Sequence, residues 1–179
     1  MSNRPLRIGV IGAGDMGVRH LKSWLQVKGA EVVAVVEEVP ERLASIKPLL
    51  ETTVGLYADY RQAIRETRPD VISVCLPTSF HAPVSIYAIE HGSHVLCEKP
   101  IALSLEEADR MIEAAQWQGV LLTVGFMLRY TVAIAKLKEW IKRGAIGRPI
   151  LAISENFMEV RPKILMHDRH VTGGLGDSF

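Results

Sequence analysis

Apolar runs of strand length alternate with amphipathic stretches along most of this chain. Leu6 to Ile11 is a largely apolar run, broken by Gly12-Ala13-Gly14-Asp15-Met16-Gly17. After that turn Val18, Leu21, Trp24 and Leu25 recur at helical spacing, and Gly29 marks a C-terminal stop. Glu31 to Val36 is a β-branched run ending on Glu37-Glu38. Strand, glycine turn, helix and strand in that order predict a βαβ unit with a right-handed crossover.

The alternation continues. Pro40 to Leu50 predicts a helix, with the proline suited to its first turn, and Thr53 to Tyr57 a short strand. Asp59 followed by Gln62 predicts a capping box opening a helix to about Glu66. Val71 to Leu76 reads as a buried strand stopped by Pro77, Ala82 to His91 as a helix closed by Gly92, and Ser93 to Cys97 as a strand. Ser104 with Glu107 predicts a second capping box, ahead of a helix whose buried stripe is Leu105, Ala108, Met111, Ile112 and Ala115. Gly119 ends that helix and Val120 to Val124 closes the series. Near-continuous apolar strands between amphipathic helices predict an α/β fold, a doubly wound parallel (Rossmann) sheet covered on both faces.

The pattern changes at Gly125. A helix is expected over Val132 to Arg143 and one long strand over Pro149 to Val160. The expected organisation is a nucleotide-binding domain over 1–124 and the start of a second, incomplete α/β domain over 125–179. One helix, one strand and a glycine-rich end do not make a sheet.

Composition narrows the function. A chain of 179 residues, 48% hydrophobic and 23% charged, suits a globular core with a piece of a second domain. A formal net charge of +1 argues against a nucleic-acid binder, and no apolar run is long enough to cross a bilayer. Cys75 and Cys97, at the ends of apolar runs, read as reduced, buried thiols of a cytoplasmic protein.

The candidate chemistry gathers at strand ends. Gly12-x-Gly14-x-x-Gly17, between a strand and a helix, lets the backbone approach a pyrophosphate at the positive end of that helix. Glu37 follows Gly17 by 20 residues, the separation expected of a carboxylate that binds the adenosine ribose hydroxyls. That acid would repel a 2′-phosphate, so NAD is favoured over NADP. Arg42 is the nearby residue that would soften this, and Glu38 reads as a solvated loop acid. Open α/β sheets bind ligands beyond the carboxyl ends of their strands, which brings in Pro77-Thr78-Ser79-Phe80-His81 and Glu98-Lys99-Pro100. Thr78 and Ser79 read equally as helix caps, and His81 as a satisfied helix-start histidine or a site residue. His91 and His94 read as structural or exposed. Lys99 beside an oxidised nicotinamide would have its ammonium form disfavoured and would polarise a substrate oxygen or move a proton. Glu98 would bind the nicotinamide ribose and hold the lysine, and Pro100 suits a cis bond. His167, Asp168 and His170 lack a further ligand for a metal, and none is expected.

Gly12 to Gly17, Ala34-Val35-Val36-Glu37, Pro77-Thr78 with His81, and above all His94-Val95-Leu96-Cys97-Glu98-Lys99-Pro100 resemble the Gfo/Idh/MocA oxidoreductases. Gly125-Phe126, Arg129-Tyr130 and Gly144 to Pro149 resemble that family's linker. The resemblance implies NAD(P)-dependent hydride transfer on a sugar, cyclitol or related polyol, with homo-oligomers at full length. It makes Lys99 the catalytic lysine, gives Pro77, Thr78, His81 and Glu98 to the cofactor site with the glycine turn and Glu37, and places Arg129 near the nicotinamide or substrate. Two departures stand out. Met127-Leu128 occupies the position of a usual polar residue before the arginine. Gly173-Gly174 and Asp177 resemble the lead-in to the family's Asp-x-Gly-x-His pattern, but the histidine that usually partners the lysine is absent, so this chain is expected to bind NAD and turn over poorly. The alternative is a non-catalytic dinucleotide-binding module.

Overall fold

The computed structural model describes residues 4–153 and 155. Its core is a six-stranded parallel sheet, with β1 over Leu6–Ile11, β2 over Ala30–Val36, β3 over Gly55–Tyr57, β4 over Val71–Val74, β5 over His94–Cys97 and β6 over Leu122–Val124. The spatial order is β3-β2-β1-β4-β5-β6, so the chain winds outward in one direction to β3 and in the other from β4. That is the doubly wound arrangement, with its switch point between β1 and β4.

Five helices connect these strands: α1 (Asp15–Trp24), α2 (Pro40–Ile46), α3 (Tyr60–Thr67), α4 (His81–Glu90) and α5 (Leu105–Gln118). Alternation along each strand feeds two cores. Ile8, Val10, Val32 and Val35 pack with Leu21 of α1 and Ile46 of α2 on one face. Ile11, Val36, Ile72, Val74, Val95 and Cys97 pack with Ile64, Ile89 and Met111 of α3, α4 and α5 on the other. Truncating a fully buried Ile89 or Met111 to alanine costs about 2–5 kcal/mol in such a core.

Several local expectations are refined. Helix α2 stops at Ile46 and continues as a 3₁₀ turn over Lys47–Leu49, because Pro48 has no N–H and its ring obstructs the preceding turn. Strand β3 starts two residues late because the Val54 N–H bonds the Glu51 carbonyl at 3.1 Å and leaves the ladder. Asp59 caps α3 through the Arg61 N–H at 2.9 Å, but Gln62 turns to Glu66 and the box stays half made. Ser104 accepts the Glu107 N–H at 3.2 Å, while Glu107 reaches back to the Leu103 N–H at 3.1 Å.

Contacts divide the described chain into two units, 4–125 and from 126 onward. The second holds a 3₁₀ turn over Met127–Tyr130 and α6 over Val132–Lys142. Pro149 to Ile153 carry no regular structure, and Ile150 is 97% exposed. The remainder of the strand expected there, together with His167, Asp168, His170 and Asp177, lies outside the described residues. Among the described residues no helix is long and apolar enough to cross a membrane.

At the amino end of the sheet Asp70 accepts from both Nη atoms of Arg4, at 2.6 and 2.7 Å, and from the Arg7 N–H at 2.8 Å. The Arg4 hydrogen bond, opposed by burial and helped by Arg7, holds this carboxyl below the ordinary aspartate range. A depressed folded-state value stabilises fully above the unfolded range and is lost as pH falls through the folded one. Asp70→Asn is therefore expected to lower the urea midpoint at neutral pH and flatten its decline below about pH 4. Urea titrations across pH check this, and parallel acid limbs for the two proteins would count against it.

Candidate active site

The carboxyl ends of the strands form a row stitched by backbone hydrogen bonds. The N–H of Glu37 donates to Tyr57 O at 2.9 Å, Gly12 to Val36 O at 2.8 Å, Cys75 to Ile11 O at 2.8 Å, Glu98 to Val74 O at 2.9 Å and Gly125 to Cys97 O at 2.8 Å. Residues far apart in sequence thus stand side by side on one edge of the sheet. The glycine turn, Glu37, the loop through Pro77 and Glu98-Lys99 all leave from it.

The three glycines of the turn do different work. Gly12 has φ +93°, and a Cβ there would lie 2.4 Å from the Cys75 carbonyl oxygen. A Cβ on Gly17 would lie 1.8 Å from the Gly12 carbonyl oxygen, so only glycine lets α1 pack this closely on β1. Gly14 faces open space, with nothing within 4 Å of its Cβ direction. It is the N-cap of α1 and provides no side-chain cap, with Asp15 and Met16 opening the helix. The first N–H groups of α1 therefore face that space without a capping side chain, the arrangement that receives a phosphate.

Glu37 is buried at the tip of β2. Its Oε2 accepts the Ala13 N–H at 2.9 Å and its Oε1 the Val39 N–H at 3.1 Å. The carboxylate is thereby tied to the glycine turn, and each oxygen retains capacity for a ribose hydroxyl. Arg42 of α2 lies 3.5 Å from Oε2, and Glu38 is exposed. Glycine turn, uncapped helix and held acid fit a dinucleotide.

The two later loops meet through His81. Its ring is 1% exposed, with Nδ1 2.7 Å from Pro100 O and Nε2 2.8 Å from Leu76 O. Each nitrogen faces a backbone carbonyl oxygen, so His81 joins the two loops at the strand ends. Pro77 is exposed and Thr78 buried in the 3₁₀ turn Thr78–Phe80 ahead of α4. His94 Nδ1 accepts the Leu121 N–H at 2.9 Å, a structural bond that seats β6.

Lys99 is half-buried, and the Lys99–Pro100 bond is cis. Glu98 beside it is 6% exposed. Its Oε2 accepts the Lys99 N–H at 3.2 Å and its Oε1 faces His20 Nε2 at 2.9 Å. Burial alone would raise this carboxyl. The His20 and Lys99 N–H hydrogen bonds, with the neighbouring charges, outweigh it and hold the group below the ordinary glutamate range. A Cβ on Gly125 would come within 3.1 Å of Oε1, so the bare backbone there makes room for the carboxylate.

His20, Ser73 and Trp24 escaped the sequence reading. His20 Nδ1 lies 3.3 Å from Ser73 Oγ, which accepts the Trp24 Nε1–H at 2.8 Å. A signal was available: His20 sits three residues past Gly17, and Ser73 is the polar residue within an apolar strand. Arg129 is exposed in the second unit, its guanidinium 5.5 Å from the Phe126 ring centroid. Cys75 and Cys97 are free, and burial pushes the Cys97 thiol up to about 12. Neither is poised as a nucleophile. Two surface clefts lie away from this edge, one between α4 and α5 and one around Arg4, Arg68 and His91.

A parallel sheet with this switch point, glycine turn and acid at the next strand tip is a dinucleotide-binding fold. A family profile described as an oxidoreductase family with an NAD-binding Rossmann fold, Gfo/Idh/MocA, matches residues 6–126, and the chain belongs to that family. It is 35% identical to myo-inositol 2-dehydrogenase of Thermotoga maritima, over 80% of this chain and 43% of that protein. It is 33% identical to D-glucoside 3-dehydrogenase of Escherichia coli, over 82% of this chain and 42% of that one. The crystal structure of scyllo-inositol dehydrogenase from Lactobacillus casei with bound NAD(H) and scyllo-inositol superposes with a TM-score of 0.74 at 25% identity, over 80% and 43% of the two chains. The chain thus spans less than half the length of these relatives.

The glycines separate fold from binding. Gly17→Ala is expected to cost about 1–3 kcal/mol through overpacking. Gly14→Ala, in open space with ordinary backbone angles, is expected to keep the melting temperature yet weaken NADH binding at least tenfold. Calorimetry and NADH fluorescence titration check both, and unchanged binding in Gly14→Ala would count against the turn as the pyrophosphate site.

Proposed function

We propose that this chain is the nucleotide-binding part of an NAD-dependent oxidoreductase that moves a hydride between the nicotinamide and a CH–OH carbon of a cyclitol, sugar or related polyol. The row of strand ends carries the reading, because it sets the glycine turn, Glu37 and Glu98-Lys99 along one edge. The inositol and glucoside dehydrogenases among the relatives support the substrate class. Residues 125 onward would begin a substrate domain, and the whole protein would be a homo-oligomer. Two free thiols, one of them buried, suit a reducing cytoplasm, and the near-neutral charge suits a small-molecule partner over nucleic acid or membrane.

NAD, when bound, supplies the hydride acceptor. The N–H groups at the start of α1 would hold the pyrophosphate. Glu37 would accept from the adenosine ribose hydroxyls and disfavour a 2′-phosphate there. Glu98 would accept from the nicotinamide ribose. Lys99 would donate a hydrogen bond to the substrate oxygen and stabilise the charge that builds on it as its proton leaves.

Fluorescence titration is expected to show NADH bound at least tenfold tighter than NADPH, with Glu37→Ala narrowing that gap. In the enzyme that carries this chain, Lys99→Met is expected to keep NADH affinity within about threefold and lower kcat for polyol oxidation about 10²–10⁴-fold. Absence of NADH binding would sink the proposal. Unaltered turnover in Lys99→Met would remove the lysine from the chemistry.

A further inference from the structure

Glu98 is buried, charged and aimed toward α1, and what it meets there is an imidazole. Hydrogen counting gives a self-consistent direction to each contact. The Trp24 Nε1–H can only donate, and it donates to Ser73 Oγ at 2.8 Å. Ser73, fully buried, keeps its hydroxyl hydrogen for an acceptor, and His20 Nδ1 lies 3.3 Å away. A neutral ring that accepts at Nδ1 carries its hydrogen on Nε2, and that atom lies 2.9 Å from Glu98 Oε1. The second carboxylate oxygen then accepts the Lys99 N–H at 3.2 Å. Every hydrogen from Trp24 to Lys99 has an acceptor.

The chain of bonds runs crosswise through the fold. Trp24 and His20 stand on α1, Ser73 on β4, and Glu98 at the end of β5. The helix whose first N–H groups face the pyrophosphate position is therefore also the helix that orients the carboxylate next to Lys99.

We propose that His20 is a positioning residue. Through Ser73 and Trp24 on one side and Glu98 on the other, it sets the carboxylate for the nicotinamide riboside half of the cofactor. The adenosine half is held separately by Glu37 and the glycine turn. This rests on the proposed NAD site, and it divides the cofactor into a half that depends on His20 and a half that does not.

The division gives the test. ADP carries the adenosine and pyrophosphate but lacks the nicotinamide riboside. In His20→Ala, NADH affinity is expected to fall about tenfold while ADP affinity stays within twofold, both read by titration. His20→Gln, which keeps a donor toward Glu98, is expected to hold NADH within about threefold of the unaltered protein. Ser73→Ala, which releases Nδ1, is expected to weaken NADH in the same selective way and serves should His20→Ala not fold. An equal loss of NADH and ADP would mean damage to α1 and would overturn the inference, as would no loss of either. Long-range ¹H–¹⁵N spectra of the unaltered protein at neutral pH are expected to show a protonated His20 Nε2. A bare Nε2 could not donate to Glu98 and would overturn it independently. If the unaltered protein bound no NADH, the proposed function would fail and His20's role toward the cofactor with it, whereas NADH binding with a bare Nε2 would overturn the His20 inference alone.

Discussion

The approach of α1 to β1 governs the site. A Cβ on Gly17 would sit 1.8 Å from the Gly12 carbonyl oxygen, so the helix rests on backbone and not on a side chain. That contact fixes where the helix begins, and with it the direction of its first N–H groups. It also fixes the depth at which His20 and Trp24 meet β4 and β5. Without it the helix would stand off, and both the phosphate end and the Glu98 bonds would be lost together.

Electrostatics at the strand ends follow from burial. Glu37 and Glu98 are both largely withdrawn from water, a cost that only hydrogen bonds offset. Glu37 meets it with backbone N–H groups of the glycine turn and of its own loop, and Glu98 with the Lys99 N–H and an imidazole. Removing one partner from so buried a pair typically costs about 3–5 kcal/mol, because the other charge is left behind. The acids are held in place before any ligand arrives. That is what orientation of a cofactor requires.

Much of this was legible in the sequence. Apolar runs bounded by glycine and proline marked the parallel strands, and the spacing from Gly17 to Glu37 singled out two segments that the fold ties together through the Ala13 N–H. The misses have physical causes. Local pattern does not show which ring nitrogen finds a carbonyl, so His81 read both as a satisfied histidine and as a site residue, and its contacts with Leu76 and Pro100 were not legible. His20 was passed over because its meaning depends on a partner 78 residues away. Strand β3 came out short because one turn bond at Val54 competes with the ladder, a contest that propensity does not decide.

The stitched edge has a consequence for how the protein comes to exist. Its neighbours are drawn from positions 37, 12, 75, 98 and 125, and no adjacent pair is close in sequence. Such contacts form only after large loops have closed, and parallel topologies that depend on them fold slowly. The glycine turn and Glu37 belong to the first βαβ unit, whereas Glu98 has its room beside Gly125 only in the finished sheet.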